Sequence, residues 1–288
     1  MNNSRLILGT AQFGMDYGIN NREGKPSVEK VFEILDLAAA KQITQLDTAD
    51  LYGDAQQIIG EYIKTHKGNF LVNTKFKSEK ERPLEMQLHE SLEQLGLKNI
   101  NSFFFHRFQE MQHYPELLHQ LTKLKGLGLI KKTGVSVYWN DEFQHSINEQ
   151  QVDVIQVPFN LLDNYSRRGD LLRLAKEKGK EIQVRSIFLQ GLFFRDRQSF
   201  PVHLQPLLKY LDQLDKLASA YKLSMHDLAL GYVLKKKEID FIVIGVDSAE
   251  QLQRNIDAER TTFDDELEKE IDRMFVKEEP LLYPFNWT

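Results

Sequence analysis

Short apolar runs of β-type composition alternate with amphipathic segments along the whole of this chain, and no other feature restricts its fold as much. The β-type runs cover residues 6–9, 45–48, 70–75, 102–106, 133–137, 154–157, 182–187 and 241–245. Between them, apolar residues recur at spacings of three and four, as one face of a helix requires. Val31, Ile34, Leu35, Leu37 and Ala38 show this in the first such segment, and Leu84, Leu88, Leu92 and Leu95 in the third. Ser27 is placed to cap the first helix and Gly96 to end the third. Strict β–α alternation argues for a parallel sheet, and eight units argue for closure into a (β/α)8 TIM barrel. The competitor is an open doubly wound sheet. No G-x-G-x-x-G opens a helix here, which weakens that reading. A barrel of this kind takes about 250 residues, so one domain over residues 1–288 is expected. Two stretches exceed a minimal barrel. One is a long connection after the seventh strand, residues 189–204, of the kind that often forms a lid. The other is a tail, residues 276–288, carrying Tyr283, Phe285 and Trp287.

Composition narrows the function classes. The net charge is −5 with scattered basic residues, so no electrostatic footprint for nucleic acid is present. Cysteine is absent, which excludes disulfides, thiolate catalysis and Cys-bound metals. The first residues, "MNNSRLILGTAQ", lack the apolar core and small-residue cleavage site of a secretion signal. No apolar run is long enough to span a bilayer. A cytoplasmic location is therefore expected.

Four residues carry most of the functional information. They are Asp47 and Tyr52 in "LDTADLYG", Lys75 in "VNTKF" and His106 in "FFFHRF". Each follows or ends a β-type run, and in a parallel barrel all such ends open onto one face. An acid, a phenol, an amine and an imidazole meeting there can deliver a proton to a carbonyl oxygen. Each also has a bland reading. A Tyr after a strand is commonly a rim residue with a wet hydroxyl. An Asp–Lys pair is more often structural than catalytic, and a His at a strand end is usually a satisfied polar group. Four such coincidences on one face weigh against accident. Asp50 and Asp54, which flank Tyr52, read as loop or cap residues.

The pieces "LGTAQFG", "LDTADLYGDAQQIIG", "VNTKF", "FFFHRF", "GVSVY", "IQVPFN", "VRSIFLQGLF" and "VIGVDSAEQLQRN" occur in that order. In this ordered set the chain resembles the aldo-keto reductase family of NAD(P)-dependent oxidoreductases along nearly its whole length. The resemblance implies a (β/α)8 barrel that binds an extended nicotinamide cofactor, NADP(H) or NAD(H), without a Rossmann motif. It implies hydride transfer between NAD(P)H and an aldehyde or ketone, sugar-like substrates among the candidates, with no metal. It makes Asp47, Tyr52, Lys75 and His106 the catalytic residues. Some relatives that reduce carbon–carbon double bonds carry Glu in place of His106, so His106 points to carbonyl chemistry. The short N-terminus implies a reduced form of the hairpin that usually plugs the barrel bottom. In this reading Tyr52 is the general acid/base. Its ordinary pKa of about 10 is high for exchange near neutrality, and Lys75, held by Asp47, is expected to lower it. His106 would orient the carbonyl.

The same resemblance marks a dinucleotide cradle. Ser136 and Gln156 would reach the nicotinamide carboxamide, with Asn160 beside them. Arg185 stands where many relatives stack an aromatic residue on the nicotinamide. A guanidinium plane can also stack, and its charge would favour the neutral reduced cofactor. Ser186 and the backbone of Leu189 to Gly191 would line the pyrophosphate, and Gly245 opens the last segment. Asp247 and Gln251 occupy places where NADPH-preferring relatives hold cations toward the 2′-phosphate, and Asn255 matches an adenine contact. A carboxylate suits a 2′-hydroxyl better than a phosphate. NADH is therefore expected to serve at least as well as NADPH, with Arg254 able to compensate if it turns inward. The bland readings are a strand-end turn for Ser136, a rim ion pair for Arg185 and a helix N-terminal acid for Asp247. Phe13, Tyr17, Arg107, Phe108, Tyr138, Trp139 and the tail aromatics are candidate substrate walls, with Arg107 a candidate anion contact. The tail could equally pack on the barrel side or meet a second subunit. A functional alternative is a cofactor-binding redox sensor or regulatory subunit on the same barrel with little turnover. The four intact groups disfavour it, and the replaced stacking residue leaves room for it.

Overall fold

The computed structural model describes residues 4–19, 21, 24–66, 69–78 and 82–287. Eight parallel strands pair in sequence order and close on themselves. They are β1 (Leu6–Gly9), β2 (Gln45–Asp47), β3 (Leu71–Phe76), β4 (Ile100–Phe105), β5 (Ile130–Ser136), β6 (Val154–Pro158), β7 (Glu181–Arg185) and β8 (Phe241–Gly245). β1 and β8 agree with the sequence reading at both ends, and the others differ by one to three residues at a boundary.

Side chains alternate across a strand, and the register propagates one choice of face around the barrel. Gly9 pairs with Asp47, Asp47 with Asn73, and Lys75 with Phe104. Ser136 pairs with Gln156, Gln156 with Gln183, and Gly245 with Gly9. The inward set is therefore polar at both ends. Asn101 Nδ2 donates to Asn73 Oδ1 at 2.8 Å, Asn73 Nδ2 donates to Gln45 Oε1 at 3.2 Å, and Lys132 pairs with Glu181. These groups form a floor. Ile7, Phe104 and Val154, all fully buried, fill the middle. The outward set is apolar: Leu46, Val72, Phe103, Phe105, Ile155, Val184 and Ile242 belong to the large core beneath the helices. Burying each such side chain stabilises the fold by roughly 1.5–3 kcal/mol before entropy is counted.

The helices follow their sequence signals. Ser27 Oγ accepts from Lys30 N ahead of Val28–Ala40, whose Val31, Ile34, Leu35 and Ala38 are buried while Leu37 is half-buried. Gly96, at φ +64°, ends Leu84–Leu95, a left-handed position that glycine takes without a Cβ penalty. At the bottom, Arg5 donates to the carbonyls of Leu234 (2.6 Å) and Lys236 (2.9 Å). The described chain before β1 is residues 4–5, and it ties the last helical turn before β8 with a side chain. The long connection after β7 is three short 3-10 turns, Leu189–Phe194, Arg197–Ser199 and Val202–Leu207. Leu189, Leu192, Phe193, Phe200, Leu204 and Leu207 are buried, so most of it is pinned to the core. Among the described residues no helix is long and apolar enough to cross a membrane.

The tail crosses to the C-terminal face. Tyr283 is fully buried, its ring edge-on to Trp139 at 4.4 Å, and Arg168 Nη2 donates to its hydroxyl at 3.2 Å. Phe285 stacks on Tyr283 and meets Tyr138 edge-on at 4.7 Å. Arg168 is itself fully buried on Asp163 at 2.8 Å.

Candidate active site

Asp47 and Lys75 sit on the inward faces of β2 and β3, and His106 follows β4, where His106 N donates to Phe76 O at 3.1 Å. Tyr52 is on the turn after β2, and backbone contact sets its position. A Cβ added to Gly14 would lie 1.8 Å from the Tyr52 carbonyl oxygen, and one added to Gly53 (φ +55°) would lie 2.2 Å from the Gly14 carbonyl oxygen. Two glycines thus press the β1 and β2 connections together, main chain to main chain. The Tyr52 and His106 rings meet edge-on at 5.9 Å, and Lys75 Nζ lies 5.3 Å from the centre of the Tyr52 ring. The four groups expected from sequence do converge.

The charges inside this cluster are tightly held. Lys75 Nζ donates to Asp47 Oδ2 at 2.5 Å and to the Thr48 carbonyl at 3.3 Å. Asp47 Oδ1 accepts from Gln156 Nε2 at 2.8 Å. Burial pushes the Tyr52 hydroxyl well above the ordinary phenol range; the Asp47 carboxylate adds to this and Arg185 opposes it. This corrects the expectation that Lys75 lowers it. The ammonium is already neutralised by Asp47, and a dry pocket penalises a phenolate. Lys75 is in turn lowered by burial, against the pull of Asp47. His106 is pushed down to about 3, by burial first and then by Lys75, Arg185 and Arg107. Its Nδ1 is buried without a hydrogen-bond partner, so the site presents a neutral imidazole with an unused polar atom.

A cavity of about 400 Å³ runs from this cluster across the ends of β7, β8 and β1, within the usual range for small-molecule sites. Asp47, Tyr52, Gln156 and Arg185 line one end; Asp247, Gln251, Arg254 and Asn255 line the other. Ser186, Gly191 and Gly245 lie between. Lys75, His106, Ser136 and Leu189 are not in the lining. Lys75 stands behind Asp47, Ser136 is buried at the end of β5, and Leu189 points into the core. Asn160 serves the turn after β6, accepting from Leu162 N at 2.9 Å and Asp163 N at 3.0 Å and donating to Ser186 O at 3.2 Å. Of the candidate substrate walls, Tyr17 lines the cavity. Phe13 and Phe108 are buried, Arg107 is exposed, Tyr138 and Trp139 are outside the lining, and of the tail aromatics Tyr283 and Phe285 pack against Tyr138.

Several lining residues had no signal strong enough to single them out. Gln12 sits inside "LGTAQFG", its amide against Gly245. Gln190 Nε2 donates to the Tyr17 hydroxyl at 3.3 Å, joining the β7 and β1 connections across the cavity. His226, on the helix Met225–Lys235, stacks on Phe188 at 5.1 Å, with Nε2 2.8 Å from Asn255 Oδ1. At the same end Gln251 Oε1 accepts from Asp247 N at 3.0 Å, and Ser248 caps the helix Ala249–Ala258. A long polar groove with amide, imidazole and guanidinium groups at its far end suits an extended ligand with a heteroaromatic base there. A dinucleotide fits that description.

The model of the aldo/keto reductase family matches residues 5–275. Norsolorinic acid reductase B of Dothistroma septosporum (strain NZE10 / CBS 128990) is 24% identical over 320 residues, covering 98% of this chain and 79% of that protein. The NADH-specific methylglyoxal reductase of Escherichia coli (strain K12) is 24% identical over 257 residues, covering 75% and 78%. Among solved structures, aldo-keto reductase AKR11C1 from Bacillus halodurans superposes with a TM-score of 0.77 at 20% identity, covering 97% of this chain and 96% of that one.

Proposed function

The chain belongs to the aldo/keto reductase family and is an NAD(P)H-dependent oxidoreductase of carbonyl compounds, and from that premise we propose that Tyr52 is its general acid/base. The observation that carries this is the meeting of the Tyr52 phenol, which lines one end of the cavity, with a neutral His106 and the Asp47–Lys75 pair packed around it. The nicotinamide, when bound, supplies the hydride. Tyr52 donates a proton to the carbonyl oxygen. Its raised pKa keeps the hydroxyl protonated through neutral pH, which suits the reductive direction. As the proton leaves, Arg185, whose charge opposes the upward shift of the Tyr52 hydroxyl, offsets the forming phenolate. Gln156 and Lys75 hold both Asp47 oxygens, so the ammonium stays in place. His106 adds a hydrogen bond to the same oxygen without adding a charge.

Gln156, Arg185, Ser186, Gly191, Gly245, Asp247, Gln251 and Asn255 line the groove proposed for the dinucleotide, with Asn255 and His226 at the adenine end. Ser136 and Leu189 would act by shaping the strand and loop that border it. Asp247 and Arg254 both face that end. The carboxylate favours a 2′-hydroxyl and the arginine a phosphate, so NADH serves at least as well as NADPH. Gln12, Tyr17 and Gln190 suit a small hydroxylated, sugar-like aldehyde or ketone. The regulatory-subunit alternative draws no support from a site with all four proton-handling groups assembled.

Initial rates of Tyr52→Phe with a panel of small aldehydes and both cofactors test this reading. Loss of a positioned acid predicts a fall in kcat of about two to four orders of magnitude, with dinucleotide affinity nearly unchanged by fluorescence titration. Normal turnover by this variant would remove Tyr52 as the donor, and a strong NADPH preference in the wild type would remove the argument from Asp247.

A further inference from the structure

Arg185 lines the catalytic end of the dinucleotide groove beside Asp47, Tyr52 and Gln156, yet no carboxylate among the described residues holds it there. The connection after β5 does so instead. Arg185 Nη2 donates to the Val137 carbonyl at 3.1 Å, and the guanidinium lies 4.2 Å from the centre of the Tyr138 ring. Tyr138 is outside the cavity lining, so its ring serves the arginine from behind. That ring is braced in turn by the tail. Phe285 meets it edge-on at 4.7 Å and Tyr283 edge-on at 5.8 Å, and the two tail rings stack within 5° of parallel. The main chain beneath is fixed as well. Buried Arg168 donates through Nη2 to the Tyr138 carbonyl at 2.6 Å and to the Tyr283 hydroxyl at 3.2 Å, while Asp163 neutralises it. Tail, Tyr138 and Arg185 form one stack, which runs from the half-exposed Phe285 to the reacting end of the groove.

A guanidinium without a carboxylate partner is placed only as firmly as its neutral contacts allow. Two events at the reacting end depend on that placement. The forming Tyr52 phenolate is offset by the charge of Arg185. The nicotinamide becomes cationic when it has given up hydride, and a fixed cation close by then repels it. Both interactions weaken as the charge moves away. We propose that Tyr138 is a positioning residue for Arg185, and that the C-terminal tail holds Tyr138 in place through Phe285 and Tyr283. The tail therefore acts on the cofactor side of the groove, from behind the lining, and is not a wall of the substrate pocket. It sets how unequally the oxidised and reduced dinucleotides are bound. This rests on the oxidoreductase reading of the Tyr52 site.

Fluorescence titration of the full chain tests it. The quantity compared is the Kd of the oxidised dinucleotide divided by that of the reduced one, for whichever of NAD(H) and NADP(H) binds more tightly. Tyr138→Leu removes the ring beside the guanidinium and should lower the ratio by about 3- to 30-fold, the range for a partly desolvated cation–ring contact. Tyr138→Phe keeps the ring and should restore the wild-type ratio. Phe285→Ala removes one brace at a half-exposed position and should lower the ratio by a smaller factor. It keeps the proposal open to refutation if Tyr138→Leu does not fold. With Arg185→Gln already present, neither Tyr138→Leu nor Phe285→Ala should change the ratio further. An unchanged ratio in Tyr138→Leu or in Phe285→Ala overturns the proposal. So does a fall that is equally large in Tyr138→Phe, or one that persists with Arg185→Gln in place, because the effect would then not pass through the ring and the arginine. The Tyr52 reading fails by a different measurement, normal turnover of Tyr52→Phe, so the two failures are told apart. A wild type that binds neither dinucleotide removes both together.

Discussion

Lowering the pH from 7 to 5 asks how dry the surroundings of His106 are. Its imidazole is held down to about 3 in the folded protein, against about 6.5 in an unfolded chain. Below 6.5 the unfolded chain therefore takes up a proton that the folded chain refuses until the pH nears 3. Stability from this residue is fully present above 6.5 and falls as the pH drops through that window. Each pH unit is worth about 1.4 kcal/mol, so the 1.5 or so units between 6.5 and 5 cost about 2 kcal/mol. The comparison that isolates the residue is His106→Gln, which keeps a polar side chain and removes the titration. Urea unfolding at pH 7 and pH 5 should show the wild type losing about 2 kcal/mol more than the variant. Contributions from other titrating groups are common to both proteins and cancel. Equal losses in the two proteins would mean that His106 protonates normally, and the neutral imidazole assigned to the site would fall with that result.

Lys75→Met strands a buried Asp47 carboxylate and should destabilise the protein by about 3–5 kcal/mol; Asp47→Asn combined with Lys75→Met should cost clearly less than the sum of the single changes in the same urea assay. Gly53→Ala meets both an unfavourable backbone angle and the Gly14 carbonyl. It should lower stability by more than about 1–2 kcal/mol, the cost of the left-handed conformation alone, and should reduce kcat by shifting Tyr52; a variant as stable and active as the wild type would show that the two connections are not in contact.

The barrel was legible because its outward-facing residues are consistent. Leu8, Leu46, Val72, Phe103, Phe105, Val135, Ile155, Val184 and Ile242 give each strand an apolar signature, and the helices between them repeat at their own period. The four proton-handling residues were legible because strand ends share a face. What local sequence hides is which of two alternating residues points inward. Phe104 and Phe105 look alike as letters, yet one fills the barrel and the other the outer core. The sign of the Tyr52 shift was missed for a related reason, since it depends on how completely Asp47 quenches Lys75 and on how dry the pocket is. His226 reaches the cavity from a helix preceding β8, with no motif around it, and the Gln190–Tyr17 contact joins residues far apart in the chain. The tail's role was open because its aromatics could face several surfaces. Its partners, Tyr138, Trp139 and Arg168, come from the connections after β5 and β6.

The clamp between Gly14 and Gly53 has an evolutionary corollary. The phenol hangs from a junction in which no side chain takes part, so drift in side-chain identity elsewhere leaves its address unchanged. The segment after β7, which lines the cavity at Ser186, Ile187, Phe188, Gln190, Gly191 and Phe194, can vary without moving that junction.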